Sequence, residues 1–176
     1  SGSEPDSTRA KLARSVRARA AEPIDPRWLV RTLVDRYPST WVFHVEGLVG
    51  ASPEMLIRRQ GGLAMSRVLA GTIQRGDGRD ETLEATLARS DKDQAEHEYA
   101  VASVARALAP YCSGMNVPES PYVLRLPNVM HLASDVTGVV DARMSSLALA
   151  AKLHPSAAVC GTPTPQARAV IATTEG

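Results

Sequence analysis

The stretch LVGASPEMLI, residues 48–57, sets one carboxylate between two short apolar runs that are typical of β-strands. The carboxylate belongs to Glu54 and follows Ser52-Pro53, a pair typical of a turn. A carboxyl group at a strand end can act as a general acid when partial burial raises its pKa. The alternative is a solvated turn acid, and this stretch alone favours that alternative.

Outward from this stretch, strand-like and helix-like segments are mixed along the chain. Strands are predicted at 12–20, 41–45, 63–69, 122–126 and 129–140, with a hairpin turn at Gly61-Gly62. Helices are predicted at 26–37, 145–153 and 165–174, and also from Asp80 or Thr82 and from Ser90 or Asp91, with a loop at 154–163. Such a mixture predicts an α+β fold, a largely antiparallel sheet with packed helices.

The composition is that of one domain with a real core, with 176 residues, 44% of them apolar, and a formal net charge of +1. Balanced charge argues against a nucleic-acid-binding or membrane-surface protein. No apolar run approaches the ~20 residues of a membrane span, and no secretory signal is recognisable at the start. Cys112 and Cys160 form no CxxC pair and are interpreted as free thiols, so we expect a cytoplasmic protein.

Two carboxylates lie three residues apart in the run KDQAEH, residues 92–97. On the longer predicted helix, Asp93 and Glu96 share one face. Two such acids suit a hard cation such as Mg²⁺, which takes few protein ligands and keeps several waters. The alternative is a solvated charged face, which this run alone favours. His97 points about 100° away from the acids and is not counted as a ligand.

Two glycine–threonine pairs and one histidine complete the candidate residues. Gly71-Thr72 lies at a predicted turn, and Gly161-Thr162 lies just before a predicted helix. Free backbone N–H groups at such positions favour anions, so both pairs are candidate carboxylate cradles. His131 lies in an apolar strand, where a lone histidine is more often a satisfied core residue than a catalytic one.

Taken together, these segments resemble the chorismate-utilising enzymes, the family of isochorismate, salicylate and anthranilate synthases. The matching motifs are GASPE (50–54), LAGT…RG (69–76), KDQAEH (92–97), HLAS (131–134) with Gly138, and LHPSAAVCGTP (153–163). The resemblance runs from about residue 12 to the last residue. It implies part of an α/β/β/α sandwich, the fold of anthranilate synthase component I, and it outweighs the alternatives given above for Glu54 and Glu96.

The resemblance also implies a reaction. In isochorismate synthases a lysine activates a water that attacks C2 of chorismate, a glutamate protonates the departing C4 hydroxyl, and Mg²⁺ holds the C1 carboxylate. By motif match Glu54 is the general acid, Glu96 is a Mg²⁺ ligand, and Asp93 joins through water. The remaining implied positions are Gly71, Thr72, Gly161 and Thr162, which line the substrate, and His131, which lies beside the ring and its carboxylate.

Two segments resemble isochorismate synthases within this family. Ammonia-using members carry PIKGT where this chain has VLAGT at 68–72, and they and the salicylate-forming members usually carry threonine where this chain has Ala158. Small apolar Ala158 and Val159 would leave the pyruvyl side chain undisturbed, so that the reaction stops at isochorismate. The product would serve siderophore or menaquinone biosynthesis, and a salicylate synthase is the alternative.

The chain departs from the family pattern in its base and at both ends. The family's base lysine corresponds to Arg9, which stays protonated, so Lys11 on the same strand face is the candidate base. Residues 1–10 are interpreted as disordered or cloning-derived, and 11–176 as a partial chorismate-binding domain that lacks the family's N-terminal half and C-terminal segment. Open sheet edges would then favour self-association. A non-catalytic fragment or pseudoenzyme that only binds a ligand or partner is the second functional alternative.

Overall fold

A five-stranded antiparallel sheet forms the centre of the computed structural model, which describes residues 8–76 and 78–175. The elements in chain order are β1 (Arg9–Ala10), α1 (Pro26–Arg36), β2 (Trp41–Val45), β3 (Leu48–Ser52), β4 (Met55–Gln60), β5 (Leu63–Gln74), α2 (Asp80–Ala88), α3 (Asp91–Leu108), β6 (Cys112–Asn116), β7 (Tyr122–Arg125), β8 (Val129–Val140), α4 (Ser146–Leu153), β9 (Gly161–Thr162) and α5 (Thr164–Glu175). This mixture of helices and antiparallel strands confirms the predicted α+β class.

The two longest strands, β5 and β8, pair along their whole length in the middle of this sheet. β4 lies on the other side of β5, while β6 and β7 pair with the far edge of β8. The β5–β8 register shifts between Ala70 and Thr72, so the chain forms a β-bulge at Gly71. Two smaller sheets are the β2–β3 hairpin and the β1–β9 pair, and the latter joins residues about 150 positions apart.

One face of β5 and β8 is buried under α3 and α4. The period-2 alternation of a strand turns Ala64, Ser66 and Val68 of β5 towards this face. The apolar stripe of α3, which includes Val104 and Leu108, packs in the same buried cluster. Burial of this stripe holds α3 over the sheet and therefore positions the KDQAEH run.

Side-chain caps set the helix starts close to their predicted positions. The Asp25 carboxylate accepts a hydrogen bond from the Arg27 N–H at 2.9 Å, at the start of α1. The Ser90 hydroxyl accepts from the Asp93 N–H at 3.3 Å, and Ser145 caps α4 in the same way. Each cap satisfies a backbone donor that has no partner within the helix. The helix starts predicted from these residue types are confirmed.

The strand predicted at 12–20 is wrong. Within residues 8–20, Arg9–Ala10 alone forms a strand, and residues 11–20 have no regular structure. Alternating apolar and basic residues form a strand only where another strand offers hydrogen-bond partners. Past β1 no such edge is used, and Val16 is 96% exposed.

Other segments differ from prediction for the same reason, because long-range pairing is not a local property. β5 continues past Leu69 to Gln74, Cys112–Asn116 is an additional strand, and the predicted loop 154–163 contains β9. The strands predicted at 41–45 and 129–140 are confirmed. Of the frayed N-terminus predicted at 1–10, residues 1–7 lie outside the described residues, whereas Arg9–Ala10 is paired.

Two surface properties bear on partners. Leu63 and Val139 lie opposite each other on β5 and β8, on the face away from α3, and both side chains are exposed. Such exposed apolar side chains are consistent with self-association, which stays a prediction. Within residues 8–76 and 78–175, none of the helices combines the length and apolar character needed to span a bilayer.

Candidate active site

A cavity of about 140 Å³ lies where the β1–β9 pair meets α3. Its walls are Arg9, Ala10, Lys11, Ala70, Glu96, Tyr99, Ala100, Ala157, Ala158, Gly161 and Thr162. Candidates from three distant segments of the sequence are therefore brought to one place, among them Lys11, Glu96 and Thr162. A larger and more open groove of about 700 Å³, between Tyr111 and Met144, contains none of the predicted site residues.

Lys11 and Glu96 form an ion pair in the wall of this cavity. Their side chains are 40% and 31% exposed, so both are partly withdrawn from solvent. Burial lowers the pKa of Lys11, and the positive charges of Lys92 and Arg9 lower this pKa further. The Glu96 carboxylate acts in the opposite direction because it stabilises the ammonium. A lysine with a lowered pKa is more readily a base than an ordinary surface lysine.

Arg9 lies beside Lys11 but has a different partner. Its guanidinium carbon is 4.6 Å from the centre of the Tyr99 ring, a cation–π arrangement. Arginine remains protonated in proteins and cannot accept a proton. The geometry therefore separates the two cations, with Lys11 on the Glu96 carboxylate and Arg9 held against an aromatic ring.

At Gly161 the backbones of β9 and β1 approach each other closely. Its φ is +114°, and a Cβ placed there would lie 1.8 Å from the carbonyl oxygen of Arg9. Gly161 pairs with Ala10, and the Lys11 N–H donates to the Cys160 carbonyl at 3.0 Å. Only glycine permits this backbone conformation and this close approach together. The motif glycine thus positions β1 and Lys11, the residue that directly follows β1.

We expect Gly161→Ala to displace β1 from β9. Gly47→Ala is a matched control, since Gly47 also has a positive φ, +89°, but has no atom within 4 Å of the added Cβ. Both variants strain the backbone, by roughly 1–3 kcal/mol, and only Gly161→Ala adds a clash. Urea unfolding should show the larger loss for Gly161→Ala, and trypsin should cleave faster after Lys11 in that variant alone. Equal cleavage in both variants would contradict this role.

Glu54 lies in the link between β3 and β4 and is partly buried. The Leu69 N–H donates to its Oε1 at 3.4 Å, a weak hydrogen bond that lowers the pKa. Burial raises the pKa of Glu54 and is the larger cause. A solvated turn acid would not show this shift, so the environment of Glu54 matches that of a general acid.

Gly71, Thr72 and His131 lie together at the β-bulge. The Thr72 hydroxyl is 2.9 Å from Nδ1 of His131. Burial lowers the pKa of His131, while a hydrogen bond with the Gly71 backbone acts in the opposite direction. His131 is therefore a partly buried, hydrogen-bonded side chain rather than a purely apolar core residue.

The two predicted metal ligands project from the first turns of α3. Asp93 accepts a hydrogen bond from the Ser90 hydroxyl at 2.5 Å, and a Cβ on Gly71 would lie 3.0 Å from the Asp93 Cβ. Glu96 points into the cavity. The two residues offer hard oxygen donors, the type that Mg²⁺ prefers. In the part of the chain that the structure describes, no group of three or more His, Cys, Asp or Glu side chains is arranged to hold a metal ion.

Comparison with known proteins identifies the family of the chain. A family model for chorismate binding enzymes matches residues 5–176. The chain belongs to the chorismate-binding enzyme family. Isochorismate synthase DhbC of Bacillus subtilis is 37% identical over 93% of the chain, and isochorismate synthase EntC of Escherichia coli K12 is 34% identical over 97%. The chain spans about half the length of these relatives, 45% and 46%.

Solved structures give the fold of this chain. The crystal structure of DhbC from Bacillus anthracis superposes with a TM-score of 0.81 at 37% identity, over 87% of this chain and 44% of that one. Anthranilate synthase component I from Streptococcus pneumoniae, at 24% identity, superposes with a TM-score of 0.70 and supports the fold alone. The predicted resemblance and the predicted fold family are confirmed.

Some of the predicted site residues lie outside the cavity. They are Glu54, Gly71, Thr72, Asp93, His131 and Val159, and the Val159 side chain is 61% exposed. Ala70 lies between the residues of the cavity and the residues of the bulge, because it lines the cavity and directly precedes Gly71. The roles of these residues, including Val159 as a substrate-lining position, stay predictions.

Sequence reasoning missed Tyr99 and Ala157 as cavity residues. A signal for Tyr99 was present, since it follows Glu96 by three positions on the same helix and therefore shares its face. Ala157 directly precedes Ala158 in the predicted loop. Neither residue type marks a binding site on its own.

Proposed function

We propose that this protein converts chorismate to isochorismate, adding water at C2 and losing the C4 hydroxyl, in the cytoplasm. The observation that carries the proposal is the cavity between the β1–β9 pair and α3, which brings Lys11, Glu96 and Thr162 together. Burial also lowers the pKa of Lys11 and raises the pKa of Glu54. Each shift raises the fraction of the group in its working form at neutral pH, a free amine and a protonated acid. The names of the DhbC and EntC relatives support the same substrate and product.

The proton balance of the proposed reaction closes with these two side chains. The Lys11 amine takes one proton from the water whose oxygen bonds to C2. Glu54 gives one proton to the C4 hydroxyl, which leaves as water, so one water enters and one departs. Before it can accept a proton, Lys11 must lose its own ammonium proton, and with it the ion pair to Glu96.

Metal binding is the second part of the proposal. Glu96 would hold Mg²⁺ directly and Asp93 through water, and Mg²⁺, when bound, would offset the charge of a substrate carboxylate. Both carboxylates lie on α3, and Glu96 opens into the cavity that Lys11 also lines. Thr162 and the Gly161 backbone in the same cavity wall would contact the substrate, and His131 would lie beside its ring.

Ala158 supports isochorismate as the stable product. Its small apolar side chain lines the cavity, where it offers no group to move a proton on the pyruvyl side chain. Escherichia coli MenF is described as a menaquinone-specific isochorismate synthase, and it is 32% identical with a TM-score of 0.65. Relatives named MenF and EntC both match the chain, so we propose that its isochorismate is used in either menaquinone or siderophore biosynthesis.

A chorismate assay of the full-length protein, with Mg²⁺ or with excess chelator, tests the proposed function. We expect Mg²⁺-dependent consumption of chorismate with isochorismate as the stable product by chromatography. Accumulation of salicylate would replace the proposal by a salicylate synthase. Chorismate binding without turnover would overturn it in favour of the non-catalytic alternative.

A further inference from the structure

His97 directly follows Glu96 on α3, but its side chain points into the protein and is 2% exposed. Both ring nitrogens have partners on the sheet. Nδ1 lies 3.3 Å from the Ala70 carbonyl oxygen, and Nε2 lies 2.9 Å from the Ser134 hydroxyl, which is 1% exposed as a residue. One buried side chain therefore connects α3 to both central strands, β5 and β8.

The chemistry of these partners assigns the tautomer. A carbonyl oxygen can only accept, so Nδ1 of His97 carries the proton and donates to Ala70. Nε2 of the neutral ring then has a free lone pair and accepts from the Ser134 hydroxyl.

Ala70, the residue to which His97 donates, lies between two parts of the candidate site. Ala70 is the last residue in register before the bulge at Gly71. On one side of Ala70, the Leu69 N–H contacts Glu54, and on the other side Thr72 contacts His131. At the other end of the connection, the residue before His97 is Glu96, which contacts Lys11.

We propose that His97 is a positioning residue that holds the Lys11–Glu96 side of the site in fixed relation to the Glu54 side. It does so through the hydrogen bond to Ala70, and the Ser134 hydroxyl donates to Nε2 of the same tautomer. His97 touches neither substrate nor reacting atoms. The inference rests on the proposed function, since it assigns Glu54 and Lys11 to the same reaction.

Three substitutions separate positioning from simple core filling. His97→Phe keeps a ring in the space but removes both hydrogen bonds, whereas the amide N–H of His97→Asn can replace Nδ1 as donor to Ala70. Ser134→Ala removes the donor to Nε2. Leu149→Ala serves as a stability control, because Leu149 is a fully buried core residue of α4 and does not line the cavity.

For the full-length protein we expect His97→Phe to lower kcat by about ten- to hundredfold, with a smaller change in KM. Loss of a hydrogen bond that orients the residues of a site typically lowers activity by this factor. His97→Asn should recover most of this loss, and Leu149→Ala should lower stability but not kcat. Nitrogen-15 NMR of the wild type should show a protonated Nδ1 and an unprotonated Nε2 at His97, and Ser134→Ala should weaken this preference. Wild-type kcat in His97→Phe, or the opposite tautomer, would overturn the proposal.

Amide hydrogen exchange provides a measurement that does not depend on turnover. Exchange at residues 70–72 should accelerate in His97→Phe and remain near the wild-type rate in His97→Asn. If the wild-type protein forms no isochorismate, the proposed function fails, and the exchange rates still decide whether His97 positions the bulge. Unchanged exchange in His97→Phe would overturn the positioning role even in a protein that is fully active.

Discussion

Glu54→Gln should lower isochorismate formation by roughly 10²–10⁴-fold, the range by which a positioned general acid accelerates a reaction. The glutamine side chain has the size and shape of the carboxyl group but has no acidic proton to give to the C4 hydroxyl. Because Glu54 is partly buried with a raised pKa, bulk water cannot easily take over its role. Turnover is measured by isochorismate chromatography, and chorismate binding by calorimetry should persist.

Glu46→Gln is the matched control for this variant. Glu46 lies in the turn of the neighbouring β2–β3 hairpin and is exposed, so the same chemical change there should leave turnover unaltered. Retained isochorismate formation in Glu54→Gln would rule out the general-acid role. Loss of chorismate binding together with turnover would instead indicate a structural or binding role for Glu54.

The raised pKa of Glu54 also predicts a pH dependence of stability. A carboxyl group whose pKa is higher in the folded than in the unfolded state contributes stability that is complete below the unfolded-state pKa. This contribution is lost as the pH rises through the folded-state pKa, because the buried group must then ionise. Urea unfolding at a series of pH values should therefore show a smaller loss of stability with rising pH in Glu54→Gln than in the wild type.

Lys11→Gln should also lower isochorismate formation by roughly 10²–10⁴-fold, because it removes the group that takes the proton from water. The amide of glutamine can still hydrogen-bond to Glu96 but cannot act as a base. Binding of chorismate should be less affected than kcat, since the loss falls on the chemical step. Single-turnover measurements separate these two quantities.

Arg9→Gln tests whether the base has been assigned to the correct cation. Arg9 lines the same cavity two residues earlier and makes its contact with Tyr99 rather than with Glu96. Its removal should change KM more than kcat, because a guanidinium can attract an anionic substrate but cannot accept a proton. A large loss of kcat in Arg9→Gln with near-normal kcat in Lys11→Gln would contradict the assignment of Lys11.

Local patterns in the sequence predicted much of the fold. The strand at 129–140 and the helix starts after Asp25, Ser90 and Ser145 follow from residue alternation and capping chemistry, which act over a few residues. The strand predicted at 12–20 failed because a strand also needs a partner. That partner, β9, pairs only with Arg9–Ala10.

The sequence by itself determined which residue types the chain carries and, through the resemblance of its motifs, the family to which it belongs. Tertiary structure decided which of these residues meet. In the folded chain, Lys11 rather than Arg9 forms an ion pair with Glu96, and burial raises the pKa of Glu54. The folded chain also brings the His97 ring into contact with Ala70 and Ser134. The physical reason is that hydrogen bonds, ion pairs and desolvation depend on distances between residues that are far apart in the chain, and spacing along the sequence does not specify these distances.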